Sequence, residues 1–177
     1  MNLNEVRVVI YSDRGEKQSE ETLFELYSFL RNMKPDRLLV ALDPGDDRIL
    51  SFLHQKFPAI PIESVHCRVI GIKRDESSVA DQEVKRKILS LGLDTIAKYV
   101  NSNSSTMKSI NSEVTISLFR AFFQFYSNAM PADYEAFYEA RRFCILGQLV
   151  HMKPKEGDVL IVPPWDAYWF IDEFNYV

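Results

Sequence analysis

Several features are scarce or absent in this chain of 177 residues, and each absence excludes a class of protein. Only two cysteines occur, Cys67 and Cys144, and without CxxC spacing they indicate neither a zinc knuckle nor a redox pair. No run approaches the roughly 20 apolar residues of a membrane helix, and the start of the chain lacks the pattern of a signal peptide. We therefore expect no membrane partner, and two buried free thiols in a cytoplasmic protein.

Basic residues and catalytic templates are also scarce. The net charge is −4, and the only basic run is Lys85–Lys87, so no nucleic-acid partner is predicted, because phosphates require a basic face. The histidines at 54, 66 and 151 are scattered without metal-ligand spacing. Phosphate-binding loops, dinucleotide fingerprints, nucleophile elbows and zincin motifs are missing. The residues thus predict no metal or other cofactor.

The chain does contain short β-branched segments that alternate with amphipathic helices. Strands are predicted over Val6–Tyr11, Leu38–Leu42, within Ser64–Ile72, and over Val159–Val162. Helices are predicted from a cap at Ser19 to Pro35 and from Asp46 or Asp47 to Pro58. This alternation favours right-handed βαβ units. The predicted fold class is α/β, with a mainly parallel sheet in a single domain over 1–177.

The middle of the chain is predicted to be a helical insertion. Val84, Ile88, Leu91 and Thr95 recur at helical spacing. The segment Asn101–Ser112 is rich in Ser and Asn and is predicted to be a mobile surface loop. Two further helices are predicted, one lined by Leu118, Phe119, Phe122, Phe123 and Tyr126, the other by Tyr134, Phe137, Tyr138, Arg141 and Ile145.

Polar residues follow three of the predicted strands. Asp13 and Arg14 follow the first strand, Asp43 follows the second and Asp166 follows the last. Ligands of parallel α/β sheets bind beyond the carboxyl ends of the strands, so these residues could form one small pocket, with Arg14 as an anion clamp. Aspartates also start turns and cap helices by local hydrogen bonds, and this structural interpretation stays open.

Four segments, two towards each end of the chain, carry a family resemblance. Val8–Ser19 and Lys34–Asp43 follow a frame of strand, G-T-x-H motif, helix, K-P-D sequence and a strand ending in V-E-L-D. Glu139–Arg142 and Asp158–Asp166 follow an E-R motif and a final strand with a G-x-x-H motif. In these features the chain resembles the TraB/PrgY-like family, which is related to the Tiki metalloproteases. The resemblance implies a fold like that of ChaN and the erythromycin esterases.

The positions that the resemblance assigns to catalysis are altered. Gly and His of the first motif are Tyr11 and Arg14, the glutamate of V-E-L-D is Ala41, and Gly and His of the second motif are Pro163 and Asp166. In the family these His and Glu positions are the presumed metal and catalytic groups. Arginine has no lone pair to give a metal, and alanine cannot act as a base. The resemblance therefore implies a domain that has lost hydrolase activity.

Two functions follow from these observations. The first is a non-catalytic TraB-like binding or interaction protein, with a small anionic ligand at Asp13, Arg14, Asp43 and Asp166. The alternative is a metal-dependent hydrolase that holds Mg²⁺ or Mn²⁺ through Asp13, Asp43, Glu139 and Asp166, because hard cations prefer oxygen ligands. In that alternative, Glu139 and Asp166 are the catalytic candidates.

The C-terminal segment is unusually aromatic between Trp165 and Tyr176. On a helix that begins near Asp166, Trp165 and Trp169 share one face, and Phe170 belongs to a neighbouring stripe. One stripe can pack against the sheet. The other is predicted to contribute to a homodimer contact, because large exposed aromatic patches mark interfaces.

Overall fold

The fold is taken from a computed structural model, which describes residues 6–11, 20–42, 47–65, 106–127 and 132–175, with single helical positions between 83 and 98. The strands in these ranges are β1 Arg7–Ile10, β2 Arg37–Val40, β3 Ile62–Ser64 and β4 Asp158–Val162. The helices are α1 Glu20–Met33, α2 Asp47–Lys56, α3 Met107–Ile110, α4 Glu113–Ser127, α5 Ala132–Met152 and α6 Pro164–Asn175. No helix in the described ranges is long and apolar enough to cross a membrane.

The four described strands form one sheet in the order β1-β4-β2-β3. Each pair of neighbours is parallel, which confirms the predicted α/β class with a parallel sheet. The strand β4 lies inside the sheet, where Val159 is level with Arg7 of β1 on one side and with Leu38 of β2 on the other. The strand that comes last in the described sequence therefore joins β1 to β2.

Both faces of the sheet are covered by helices, because successive side chains of a strand point to opposite sides. One face packs against α1 and α2 through Val9, Leu38, Val40, Val159 and Ile161. The other packs against α4, α5 and α6 through Ile10, Leu39, Ala41, Leu160 and Val162. Burial on both faces explains why the strands are continuously apolar rather than alternating.

The first two helices lie where the sequence pattern predicts them. Helix α1 begins with Glu20 and Glu21, where acids interact favourably with the helix dipole, and it buries Leu23, Leu26 and Leu30 against the sheet. Helix α2 buries Ile49 and Leu53 at the matching spacing and ends before Pro58. The apolar periodicity of these segments was therefore sufficient to locate them.

The third strand starts earlier than predicted. It spans Ile62–Ser64, whereas the sequence placed it within Ser64–Ile72, and residues 66–72 lie outside the described part of the chain. Pro61 precedes the strand and its carbonyl oxygen accepts a hydrogen bond from the Leu38 amide at 2.9 Å. The ring of a proline favours extended backbone and leaves its carbonyl free to pair, so β3 begins directly after this residue.

The predicted surface loop over 101–112 is wrong from residue 106 onwards, while 101–105 lie outside the described residues. Thr106 caps α3, and its hydroxyl accepts the Ser109 amide. Met107 is buried with the α1 and α2 layer, and Ile110 is buried with the opposite layer. The polar residues of this stretch serve as caps of a short helix, and the apolar ones join both cores.

The outer edge of β1 is closed by the side chain of Asn111. Its Oδ1 accepts the Ile10 amide at 2.6 Å, and its Nδ2 donates to the Ile10 carbonyl at 3.0 Å. The same Nδ2 donates to the Met107 carbonyl at 2.9 Å, which fixes the amide to the end of α3. One side-chain amide thus supplies the donor and acceptor that a further strand would provide, which protects the edge from pairing with other chains.

Val84, Ile88 and Leu91 are helical, as their spacing predicts, and their side chains are exposed, at 56%, 39% and 68%. The prediction of two free thiols is corrected. Cys144 is disulfide-bonded and therefore not a free thiol, and Cys67, the other cysteine of the chain, lies outside the described residues. Disulfides are rare in reducing compartments, so the cysteines no longer support the cytoplasmic expectation.

The amino edge of the sheet is closed by an ion-pair cluster around Arg37. Its Nη2 lies 2.5 Å from Oδ2 of the buried Asp158, and its Nη1 lies 3.0 Å from Oε1 of Glu63. The hydrogen bond to Asp158 raises the pKa of the Arg37 guanidinium. Further bonds to the carbonyls of Met152 and Lys153 tie this edge to the end of α5. The amino edge therefore has a structural role, and the candidate site lies at the opposite, carboxyl edge of the sheet.

Candidate functional site

The carboxyl ends of three strands meet at one edge of the sheet. The amide of Tyr11, after β1, donates to the Val162 carbonyl at 2.9 Å, and the amide of Ala41, after β2, donates to the Ile161 carbonyl at the same distance. Pro163 follows β4 between them. All three following residues are buried, and Ala41 has no exposed surface. This edge is therefore packed rather than open.

Asp166 stands at the same edge, in the first turn of α6. Pro164 begins the helix, at a position where a missing amide hydrogen does no harm. The Pro163 carbonyl accepts the amides of Asp166 and Ala167, each at 3.1 Å, which fixes the turn from β4 into α6. The helix dipole favours an acid at this end. The Asp166 carboxylate is nevertheless completely buried, so it needs a partner inside the protein.

That partner is Arg141, which reaches the edge from the middle of α5. Its Nε donates to Asp166 Oδ2 at 2.7 Å, and its Nη2 lies 3.4 Å from the Ala41 carbonyl oxygen. The two side chains are 4% and 0% exposed. The short distance identifies a charge-assisted hydrogen bond. The arginine thereby joins α5, α6 and the end of β2 through contacts that water does not reach.

This arrangement limits the chemistry available to Asp166. A carboxylate that acts as a base or a metal ligand must reach substrate or solvent, and this one does not. A cation placed beside it would also be repelled by the adjacent guanidinium. Within the described ranges, no group of three or more His, Cys, Asp or Glu side chains is arranged to hold a metal ion. The ion pair therefore behaves as a structural tie between helices.

Of the other residues predicted for the site, only Glu139 lies in the described part of the chain. Asp13, Arg14 and Asp43 lie outside the described residues. Glu139 is on α5, but its side chain is exposed to solvent. It stands two positions from the buried Arg141, which is about 200° around a helix. The structure thus does not bring Glu139 and Asp166 together as a catalytic carboxylate pair.

The residue that the sequence prediction missed as a site residue is Arg141. It appeared there as one position in the apolar stripe with Tyr138 and Ile145, and within the segment Glu139–Arg142 that resembles an E-R motif. An arginine at a core position of a helix must be paired with an acid, because an isolated buried charge is strongly unfavourable. That rule would have predicted a buried acidic partner, although it does not say which acid.

Some of the C-terminal aromatic residues of α6 lie in the core, and others lie against the outer surface of α5. Phe170 is completely buried and packs with the residues of β1 and β4. Its ring contacts that of Trp169 edge to face, with centroids 4.9 Å apart. Trp169 in turn contacts the exposed Phe143 of α5 at 6.5 Å. The side chains of Trp165 and Phe174 lie outside the described residues. One aromatic stripe therefore packs on the sheet.

A groove between α1 and α2 is a second candidate surface. Its volume is about 590 Å³, and its wall carries the rings of Phe24 and Phe52, with centroids 5.8 Å apart. Lys56 Nζ lies 4.9 Å from the centre of the Phe24 ring and 5.7 Å from that of Phe52. Arg48 also lines the groove. This surface combines cations with exposed aromatic area, but no acidic cluster faces it that would suggest catalysis in the described residues.

These features define a parallel α/β domain whose carboxyl edge is filled by a buried arginine–aspartate pair. In comparison with known proteins, no family model, no curated protein and no solved structure matches the chain. The relationship to the TraB/PrgY-like family therefore stays a proposal.

Proposed function

We propose that this chain is a divergent TraB-like domain that has lost hydrolase activity and acts as a binding or interaction protein. The observation that carries the proposal is the buried ion pair between Arg141 and Asp166 at the carboxyl edge of the sheet. An acid held in this way is withdrawn from solvent and neutralised by a permanent cation. It therefore lacks the access to substrate and solvent that general-base or metal-assisted hydrolysis requires.

The positions of the altered motif residues support the proposal. The resemblance assigns Tyr11, Ala41, Pro163 and Asp166 to motif positions of the family, and these four residues lie together at this edge. In a family that uses several motifs for catalysis, the residues of those motifs are expected to lie together at one site. In this chain the described residues at that place are the buried Tyr11, Ala41 and Pro163 and one paired acid. Packing has thus taken the place of a reactive crevice.

The ligand that we propose is a small anion, recognised with the help of Arg14. Arg14 follows β1 closely in sequence, and β1 ends at the edge described above. A guanidinium presents a planar set of donors that suits carboxylates and phosphates. Asp13 and Asp43 would then orient the arginine rather than bind a metal. The alternative hydrolase would instead require these acids to hold Mg²⁺ or Mn²⁺.

Metal analysis and hydrolysis assays separate the two functions. Protein purified without chelator should contain substoichiometric Mn and Zn, and it should not cleave peptide or ester substrates with added Mg²⁺ or Mn²⁺. The variant Asp166→Asn should leave both results unchanged, as should the matched control Glu113→Gln, an exposed acid on α4. Stoichiometric metal and hydrolysis that disappear in Asp166→Asn but persist in Glu113→Gln would overturn the proposal.

Anion binding is tested by thermal unfolding in the presence of phosphate, citrate or sulfate. A ligand at 100 times its dissociation constant stabilises the folded state by about 2.7 kcal/mol, which raises Tm by roughly 5–11 °C in a domain of this size. The rise should disappear in Arg14→Gln and remain in Arg48→Gln, which changes an exposed arginine on α2. A rise that is equal in both variants, or absent in the unaltered protein, would refute the proposed anion site.

A further inference from the structure

Helix α5 carries apolar residues on two opposite faces. Arg141, Ile145 and Leu149 lie on the buried face. Phe143 and Val150, which point away from it, are 65% and 48% exposed. Most helices that pack on a sheet have a polar outer face, so the outer face of α5 departs from the usual amphipathic pattern. Exposed apolar side chains in one row indicate a contact surface.

The same outer row contains Gly147 in the interior of the helix. Glycine is less favourable than alanine at such a position, because it loses more backbone entropy on folding. A methyl group added to Gly147 would meet no atom within 4 Å, so nothing in the described part of the monomer requires the glycine. Ala136 and Ala140 are also small and exposed, in the two turns before Phe143. Together these residues form a shallow surface beside a protruding aromatic ring, with a notch at Gly147.

The charges that flank this row are opposite in sign at its two ends. Glu139 is exposed in the first half of α5, whereas His151 and Lys153 are exposed at its end. Further along, Lys155 and Glu156 are both exposed and offset each other. A surface with an acidic end and a basic end fits an identical copy turned end for end. Attraction between the unlike ends would then occur twice across a two-fold axis.

Lys153 lies on the same flank of the row as Glu139. The two positions are 14 residues apart, and at 3.6 residues per turn this spacing returns to within about 40° of the same direction. Lys153 directly follows the helix, and its amide still donates to the Leu149 carbonyl at 3.1 Å, as a helical residue would. In an antiparallel pair of helices, side chains on the same flank meet across the interface. Glu139 and Lys153 are therefore placed to pair with each other between copies.

We propose that the outer row of α5, Ala136-Ala140-Phe143-Gly147-Val150, is the contact between two copies of this chain, packed as antiparallel helices. With the axis level with Leu146, the Phe143 ring of each copy enters the notch of the other, between Gly147 and Val150. Glu139 of each copy is then level with Lys153 of the other. Small residues allow such helices to approach closely, as ridges fit into grooves.

The aromatic C-terminal segment takes part in this contact through Trp169. The ring of Trp169 packs edge to face against Phe143, and Trp169 is itself partly exposed. It therefore supports the ring that enters the notch and extends the apolar surface beside it. This inference does not depend on the proposed loss of hydrolase activity, because it concerns a different surface and makes no use of Asp166.

Sedimentation equilibrium tests the contact. At ~100 μM, above the dissociation constant of a micromolar complex, the unaltered protein should be dimeric. Gly147→Gln should be monomeric because glutamine fills the notch. At concentrations low enough for both proteins to be monomeric, its Tm should not be lower than that of the unaltered protein, because glutamine is a better helix former than glycine. Val114→Gln, which replaces an exposed apolar residue of α4 that is 70% exposed, should stay dimeric. A monomeric unaltered protein, or a Gly147→Gln variant that remains dimeric, would overturn the proposal.

Charge reversal tests the antiparallel orientation separately. In Glu139→Lys both flanking positions are basic, and in Lys153→Glu both are acidic, so each variant alone places like charges together twice. Each should dimerise about ten-fold more weakly than the unaltered protein at low salt. A mixture of the two should form heterodimers, because unlike charges meet again. Failure of the mixture to associate, while both variants remain folded by circular dichroism, would contradict the antiparallel arrangement.

Discussion

Replacing Arg141 by methionine removes the counter-ion of Asp166 while keeping an unbranched apolar side chain in the same space. The substitution deletes the 2.7 Å bond to the carboxylate and the 3.4 Å contact with the Ala41 carbonyl. It leaves a carboxylate with no exposed surface beside an apolar group. Removing one member of a buried pair typically costs about 3–5 kcal/mol, most of which is the penalty of the uncompensated charge. We expect a loss of that size in the free energy of unfolding.

Urea unfolding followed by circular dichroism measures this loss, and the decrease in Tm should be roughly 6–20 °C for a domain of this size. The double variant Arg141→Met/Asp166→Leu should recover most of the stability, because a buried pair replaced by apolar groups is often neutral. Together with the single variant Asp166→Leu, these variants form a double-mutant cycle, which measures the interaction free energy between the two side chains. A single variant that loses less than about 1 kcal/mol would show that water reaches the pair, and the argument for an inert edge would fail.

Two other predictions concern features of the fold. Asn111→Ala should reduce the free energy of unfolding by about 1–3 kcal/mol, because the Ile10 amide loses its acceptor. Asn111→Asp should lose at least as much, because its second carboxylate oxygen would face the carbonyls of Ile10 and Met107 to which Nδ2 now donates. A smaller loss in Asn111→Asp than in Asn111→Ala, measured by urea unfolding, would contradict this role. A thiol reagent should not label Cys144 in protein unfolded without reductant, and reduction should lower stability by about 2–4 kcal/mol. Full labelling of Cys144 before reduction would refute the disulfide.

The elements that the sequence located well are those set by local periodicity. Leu23, Leu26 and Leu30 recur at the spacing of one helix face, and Val159–Val162 is a short β-branched run after a glycine turn. Each pattern is local, because the apolar face of a helix or a buried strand is formed by residues that are close together in the sequence. Parallel pairing also followed from the alternation of the elements, because a helix between strands returns the chain to the same edge.

Features that depend on distant partners were not predictable in the same way. The Ser- and Asn-rich composition of 106–112 resembles a loop, and only the position of Asn111 beside Ile10 shows that this segment completes a sheet edge. Arg141 lies in a stripe of apolar residues, but its partner comes from α6. In both cases a polar side chain satisfies a group that is far away in sequence. Local composition therefore indicates the type of residue but not its contact.

The central position of β4 determines when this protein can fold as it is synthesised. Before residues 158–162 leave the ribosome, β1 and β2 have no strand between them, and neighbouring strands are only about 4.8 Å apart. While the N-terminal half is the only part available, β1 therefore cannot pair with its native neighbour, and β2 can pair only with β3. The facing edges of β1 and β2 must stay unpaired until β4 inserts between them. Folding by such distant contacts is slow, and the nascent N-terminal half is the part of this protein that would most need a chaperone.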